Sequence, residues 1–255
     1  MTELQQQVRV QTETSRHARW VRIVHWIATG SVFTLAFSGF VILMAHPRLY
    51  WGEVGNNLTP ALFELPISRN HQHGGWENRT PFFEGSASLV SANRTYEIFN
   101  QNGWGRSLHF LAAWFLVVPG ALYLLAGIFS GHFRLHIWPR SDEGTPRLFW
   151  RELIAHLHLR IAPATGGPDY GLLQKCAYSG VVFVALPLTV LTGLVMSPRI
   201  SSAFPFVSNA VGGFQSVRTI HFFAFVALVL FVVVHVVMVI ASGFRRQMRG
   251  MTLGE

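Results

Sequence analysis

The chain has 255 residues and a formal net charge of +8; half of its residues are hydrophobic and only 13% are charged. This composition is typical of an integral membrane protein, and the positive charge forms no basic and aromatic stripe of the kind that binds nucleic acid. A single cysteine, Cys176, excludes an internal disulfide and an iron–sulfur site made only of cysteines. We therefore expect membrane lipid as a partner and no nucleic acid.

Four apolar stretches have about the 20 residues needed to cross a bilayer as a helix. They lack the alternation of membrane strands, so we predict an all-α integral membrane protein with a four-helix bundle, forming one domain over residues 1–255. The first stretch is too long for the core of a signal peptide, and no cleavage motif follows it, so it is predicted to remain as an anchor. The predicted spans are residues 23–45, 108–130, 176–197 and 219–243.

The basic residues predict the orientation of these helices. With the amino terminus inside, 13 of the 20 Lys and Arg residues fall on cytoplasmic segments, as the positive-inside rule requires. Both termini are therefore predicted to be cytoplasmic, in a bacterial inner membrane.

Two long loops join the predicted helices. Residues 46–105 would lie outside, and a loop of this length favours a role in docking a partner. Residues 131–175 would lie inside, and their segment PRLFWRELIAHLHLR mixes leucines with arginines and histidines. This pattern predicts a helix that lies in the membrane interface.

The fourth apolar stretch carries two histidines, His221 and His235, fourteen residues apart. On a helix that spacing places them within about 40° of one face and about 21 Å apart along the axis. Ionisable residues within membrane helices indicate function, and imidazole is a common axial ligand of haem iron. One helix would thus hold two haems at different depths.

The sequence Arg-x-x-His occurs at three predicted helix starts, where Arg22, Arg106 and Arg218 precede His25, His109 and His221. An arginine three residues before a histidine lies beside it on the helix and nearer to water. Guanidinium groups bind carboxylates with two parallel hydrogen bonds. These arginines are therefore predicted to meet haem propionates.

The predicted orientation sorts four histidines into two levels. His25 and His235 would lie near the inner surface, and His109 and His221 near the outer one. Each pair could hold one haem by two imidazoles, and an iron closed in this way transfers electrons rather than binding oxygen. The alternative for any single histidine is an interfacial residue that reaches water.

Glycines lie at matching depths. Gly39 is fourteen residues after His25, and Gly180 and Gly193 lie on the third helix, where the absence of a side chain would leave room for a flat macrocycle. Tight helix packing is the alternative. In the outer loop, His71 and His73 with Glu77 would offer a further metal site, although solvated loop histidines explain the same residues.

The segments RWVRIVHWIATGSVFTLAFSG, GRSLHFLAAWF and YGLLQKCAYSG, together with the fourth helix, resemble the four-helix di-haem cytochrome b subunits of respiratory formate dehydrogenases, nickel–iron hydrogenases, thiosulfate-reductase-type enzymes and prokaryotic b561-like proteins. The resemblance implies that the four histidines bind two haem b groups. It also implies electron transfer between a quinone near the inner haem and an outer redox subunit. The segment PRLYWGE resembles the thiosulfate-reductase branch, which implies a periplasmic molybdopterin oxidoreductase as partner.

The resemblance is weakest at the quinone site. Gln174 and Lys175 match the pattern of formate-dehydrogenase relatives, but Gly171 replaces the expected asparagine and Leu173 the expected glycine. Residues at the inner helix ends remain as candidate quinone contacts, with interfacial anchoring as their alternative. They are Tyr170, Gln174, Lys175, His17 and Arg19.

The sequence thus predicts a membrane cytochrome b that passes electrons between quinone and a periplasmic redox subunit. Two alternatives remain. The first is a self-sufficient b561-type quinone oxidoreductase that acts on a small outer oxidant or reductant. The second is a haem-free membrane anchor or proton path, in which the histidines bind no iron.

Overall fold

The computed structural model describes residues 18–56, 59–68, 102–138, 146–158 and 171–254. Within these ranges, four helices are long and apolar enough to cross a membrane, which confirms the predicted all-α architecture. The helices are, in chain order, α1 (Arg19–Ala45), α2 (Asn102–Phe129), α3 (Pro146–Leu157), α4 (Leu172–Val195), α5 (Pro198–Ala203), α6 (Pro205–Ala210), α7 (Phe214–Ala241) and α8 (Phe244–Thr252). The four candidate spans are α1, α2, α4 and α7.

The described residues contain two π-helical turns. Phe133–Ile137 forms a π-helical turn after α2, and Val181–Ala185 forms another inside α4, between its α-helical parts Leu172–Gly180 and Leu186–Val195. Such wider turns are commonly single insertions within a longer α-helix.

Each spanning helix begins before its predicted start. α1 begins at Arg19 rather than residue 23, and α2 at Asn102 rather than residue 108. The apolar stretch marks only the part suited to hydrocarbon, whereas the helix continues through polar and aromatic residues that reach the water interface.

The chain forms two compact units. Unit 1 comprises Met1–Ala28, Val118–Ala185 and Leu228–Glu255, and unit 2 comprises Thr29–Val117 and Leu186–Ala227. Both contain parts of the spanning helices, whose large apolar side chains are widely exposed. Exposure of this kind is expected for helices that lipid covers.

In unit 2, the segment after α1 folds back onto the start of α7. Strand β1 (Arg48–Leu49) pairs antiparallel with β2 (Phe63–Glu64). Several hydrogen bonds then join the segment to α7, among them Thr219 Oγ1 to the carbonyl of Tyr50 (2.7 Å), Gly52 N to Ser216 Oγ (2.8 Å), Phe214 N to Glu53 Oε2 (2.9 Å) and Gln215 N to the carbonyl of Gly52 (2.9 Å). Thr219 is buried, so its bond to Tyr50 is shielded from water, whereas the bond from Phe214 to Glu53 is exposed.

In unit 1, α8 is attached to the start of α1. Arg22 donates from Nη1 to the carbonyl of Thr252 at 3.1 Å, and Trp26 donates from Nε1 to the carbonyl of Met251 at the same distance. The last carbonyls of a helix have no partner within it, so these side chains satisfy them. The sequence did not predict α8 or its return to α1.

Helix α3 stabilises the beginning of α4. The Glu152 carboxylate accepts a hydrogen bond from Leu173 N at 2.8 Å. A carboxylate at the amino end of a helix satisfies an amide without a helical partner and interacts favourably with the helix dipole. The predicted helix in PRLFWRELIAHLHLR is thus present as α3, and its position in the membrane interface remains a prediction.

Candidate functional site

The site in unit 2 is a pair of facing imidazoles. His109 of α2 and His221 of α7 have ring centroids 6.4 Å apart, with ring planes inclined at 66°. Both side chains are partly buried among the helices. The structure therefore brings together the two histidines that the sequence predicted as a pair.

Hydroxyl groups from the other two spanning helices hold these rings. Ser38 Oγ of α1 lies 3.0 Å from His109 Nδ1, and Thr192 Oγ1 of α4 lies 2.9 Å from His221 Nδ1. Each hydroxyl also donates its proton to the carbonyl four residues earlier in its own helix, at 2.7 Å and 2.6 Å respectively. The hydroxyl oxygen must then accept from Nδ1–H, which leaves the Nε2 lone pair of each histidine for a metal.

A glycine follows each of these hydroxyl residues. A Cβ atom at Gly39 would lie 3.5 Å from Cε1 of His109, and one at Gly193 would lie 3.3 Å from Cε1 of His221. The first distance is an ordinary contact, whereas the second is already tight. The glycines thus leave room for the histidine rings.

The site in unit 1 is a second pair of facing imidazoles. His25 of α1 and His235 of α7 have ring centroids 6.4 Å apart, inclined at 54°. Aromatic rings surround this pair: Phe231 stacks on His235 at 5.7 Å, Tyr178 lies edge-on to it at 6.4 Å, and Trp26 lies edge-on to His25 at 5.4 Å. This pairing, too, is the one that the sequence predicted.

The three predicted propionate arginines differ in their surroundings. Arg22 donates to the carbonyl of Thr252, and Arg218 donates to the carbonyl of His46. Arg106 is exposed to solvent near the start of α2. Their role toward propionates stays a prediction. Gly180 is exposed as well, with nothing within 4 Å of a Cβ built on it.

Both pairs fit a haem iron. Two metal–imidazole bonds of about 2 Å each, with about 1 Å from each ring nitrogen to its centroid, give a centroid separation of about 6 Å. The observed 6.4 Å in both pairs agrees with this value. Within the described ranges no cluster of three or more histidine, cysteine or acidic side chains forms a site for a bare ion. Two ligands alone suit an iron whose other four ligands come from a porphyrin.

The structure describes three of the five candidate quinone residues. Lys175 is 2% exposed near the start of α4. Gln174 Oε1 accepts a hydrogen bond from Gly171 N at 3.3 Å, so this oxygen caps its own helix. Arg19 is exposed at the first residue of α1. His17, Tyr170 and the loop metal candidates His71, His73 and Glu77 lie outside the described residues.

Sequence reasoning missed Ser38 and Thr192. The available signal was their position immediately before Gly39 and Gly193, two glycines already predicted to lie in the haem environment. A hydroxyl residue beside a small residue inside an apolar helix often bonds to its own backbone, and its second partner cannot be assigned without the neighbouring helix.

The geometry agrees with comparisons to known proteins. Residues 16–254 match the model of the family described as prokaryotic cytochrome b561. The chain is also 28% identical over 223 residues to the putative protein-methionine-sulfoxide reductase subunit YedZ1 of Azospira oryzae. The matched region covers 88% of this chain and 89% of that protein. No solved structure matches the chain significantly. The chain therefore belongs to the prokaryotic cytochrome b561 family of multi-pass inner-membrane proteins, which bind haem b and transfer electrons.

Proposed function

We propose that the chain is a di-haem cytochrome b that conducts electrons across the membrane between a quinone and a periplasmic redox partner. His25 and His235 would be the axial ligands of one haem b, and His109 and His221 those of the other. The observation that carries this proposal is the recurrence of one geometry: two facing imidazole pairs, each with ring centroids 6.4 Å apart.

Haem would supply one-electron chemistry when bound, and each facing pair of imidazoles would hold one haem iron. The chain's own contribution is to hold the imidazoles facing each other and to keep Nε2 of His109 and His221 free of a proton. Arg22, Arg106 and Arg218 each lie one helical turn before a histidine, where a guanidinium would pair with a propionate carboxylate.

The quinone is proposed to bind at the amino end of α4 and the start of α1. Lys175 supports this position because its side chain is buried near the start of α4, and an ionisable side chain within a membrane-spanning helix indicates a functional site. Gln174 Oε1 already accepts a backbone hydrogen bond, so only its amide NH2 group would serve a quinone carbonyl. Arg19, His17 and Tyr170 complete the proposed contacts.

The protein partner is proposed to be a periplasmic oxidoreductase subunit of the molybdopterin type. Its support is the resemblance to thiosulfate-reductase-type cytochromes and the name of the relative, a putative protein-methionine-sulfoxide reductase subunit. Co-purification from the native membrane tests this assignment. A tightly held partner supports it, whereas quinol oxidation coupled to a small outer oxidant by the isolated chain would favour a self-sufficient b561-type enzyme.

The first experiment is the haem content of the purified, detergent-solubilised chain by pyridine haemochrome assay with a reduced-minus-oxidised spectrum. We expect two b-type haems per chain. A single haem in a folded preparation that had haem available during expression would contradict the two-site proposal. No haem would favour the anchor or proton-path alternative.

A further inference from the structure

We propose that Ser38 and Thr192 are positioning residues that fix the tautomers of His109 and His221 and lower the reduction potential of the haem between them. The inference rests on the proposed haem ligation and adds a determinant of its potential. The residues come from α1 and α4, whereas the histidines come from α2 and α7. All four spanning helices therefore contribute to one iron site.

The direction of each hydrogen bond follows from counting protons. A hydroxyl has one proton to donate, and in both residues it is given to a backbone carbonyl of the same helix. The carbonyl oxygens of Leu35 and Thr189 lie beside the same hydroxyls, at 3.3 Å from Ser38 Oγ and 3.1 Å from Thr192 Oγ1. Because each hydroxyl has only carbonyls to which it gives its proton, its oxygen accepts from the ring, so we assign the imidazole proton to Nδ1, which leaves Nε2 for the proposed iron.

Burial keeps water from replacing these bonds. Ser38 is 0% exposed and Thr192 is 7% exposed. In such surroundings a hydrogen bond is stronger than at a surface, and a histidine that lost it would leave a buried N–H without its acceptor. The two bonds are therefore fixed features of the site.

An acceptor on Nδ1–H pulls that proton away from the ring and makes the imidazole a stronger donor to iron. A stronger axial donor favours the ferric state and lowers the potential. In unit 1, by contrast, the rings of Phe231 and Tyr178 lie against His235, whereas Ser38 and Thr192 belong to unit 2. The reduction potential of the haem held by His109 and His221 should thus depend on the hydroxyls of Ser38 and Thr192, and that of the other haem should not.

The chain offers a matched control. Ser179 also precedes a glycine in α4, but its hydroxyl donates to the carbonyl of Ile137 at 3.1 Å. Ser179→Ala therefore removes a hydroxyl of the same kind and in the same helix, without removing a hydrogen bond of His109 or His221. Thr192→Ser is the conservative variant, because it keeps the hydroxyl.

The test is a spectroscopic redox titration of the purified chain, with low-temperature EPR of the ferric haems. In Ser38→Ala and in Thr192→Val we expect the ferric-to-ferrous ratio of one haem to fall about threefold at a fixed potential, which corresponds to a rise of about 28 mV in its midpoint. Its EPR signal should move as well, while the second haem keeps both values. Thr192→Ser and Ser179→Ala should match the unmodified chain.

Two haems with unchanged midpoints and EPR signals in both variants would overturn the inference while leaving the proposed function standing. An equal rise in Ser179→Ala would overturn it too, since the effect would then be general. If Thr192→Val fails to retain haem, Thr192→Ser provides the test. Haem content and potential equal to those of the unmodified chain in Thr192→Ser support the role of the hydroxyl, and their loss in that variant contradicts it. An unmodified chain without paired haems would instead defeat the proposed function.

Discussion

In unit 2, hydroxyl groups from α1 and α4 hydrogen-bond to both imidazoles of the pair, whereas in unit 1 aromatic rings of Phe231, Tyr178 and Trp26 surround the pair. The separation of the rings is nevertheless the same, 6.4 Å in both. This separation suits the proposed iron in both units, while the surroundings differ. Two chemically equivalent ligand sets could therefore give haems of different potential.

The largest effect should come from removing a ligand. His221→Ala should abolish the proposed haem of unit 2 and leave that of unit 1, because each unit has its own pair of facing imidazoles. His235→Ala should do the reverse. Haem content should fall by half in either variant, which a pyridine haemochrome assay and EPR of the remaining haem would measure.

His46→Ala, which replaces an exposed histidine directly after α1, is a control for these substitutions, because it keeps the backbone carbonyl that accepts from Arg218. It should retain both haems. If His221→Ala or His235→Ala retained both haems in a folded protein, the pairing would be wrong.

The next largest effect should come from crowding the unit 2 pair. A Cβ at Gly193 would lie only 3.3 Å from His221 Cε1, so Gly193→Leu forces the ring aside. Overpacking of this kind costs about 1–3 kcal/mol, and the affinity for one haem should fall roughly tenfold. Haem transfer to apomyoglobin would measure it.

Gly103→Leu is the matched control, since a Cβ at Gly103 has nothing within 4 Å. It should leave both affinities unchanged. Equal loss of haem in the two variants would show that added bulk, rather than contact with His221, is responsible.

A smaller effect on haem retention is expected in unit 2, where the segment after α1 is hydrogen-bonded to the start of α7. Thr219→Val removes the hydrogen bond to the Tyr50 carbonyl in a buried position. A buried acceptor left without a partner costs about 1–3 kcal/mol. The unit 2 haem should be lost at a lower temperature on heating. Ser202→Ala, an exposed hydroxyl bonded within α5, should leave that temperature unchanged.

The smallest effect is expected in unit 1. Trp26→Phe removes the hydrogen bond to the Met251 carbonyl but keeps a ring beside His25, and a single bond of this kind contributes about 0.5–1.5 kcal/mol. The unit 1 haem should be lost slightly earlier on heating, as followed by its absorbance. Trp114→Phe, at an exposed position in α2, should have no such effect. If Trp26→Phe changed only the loss of the unit 2 haem, the assignment of Trp26 to unit 1 would be contradicted.

The sequence was sufficient for the four spans and for both histidine pairs. Apolar length identifies membrane helices, and histidines are rare enough in them for their depths to be compared. The helix starts were predicted less accurately. α1 and α2 begin at Arg19 and Asn102, several residues before their apolar stretches, where the apolar pattern gives no signal. The level of each histidine could be predicted because it requires only the position of that histidine along its own helix and the direction of the helix.

The residues that hold the histidines were beyond sequence reasoning because they lie on other helices. Ser38 is 71 residues from His109, and Thr192 is 29 from His221. Serine and threonine are common in membrane helices for their bonds to their own backbone. Only the packing of neighbouring helices distinguishes those that also reach a ring.

The attachment of the loop to α7 has a consequence for local unfolding. The amides of Phe214 and Gln215 at the start of α7 and of Gly52 in the loop donate to partners on the opposite segment. The loop cannot detach without exposing amides of the helix that carries His221. Deuterium should therefore enter these three amides in a single opening event, and a partner seated on the loop would slow exchange along the first turn of α7.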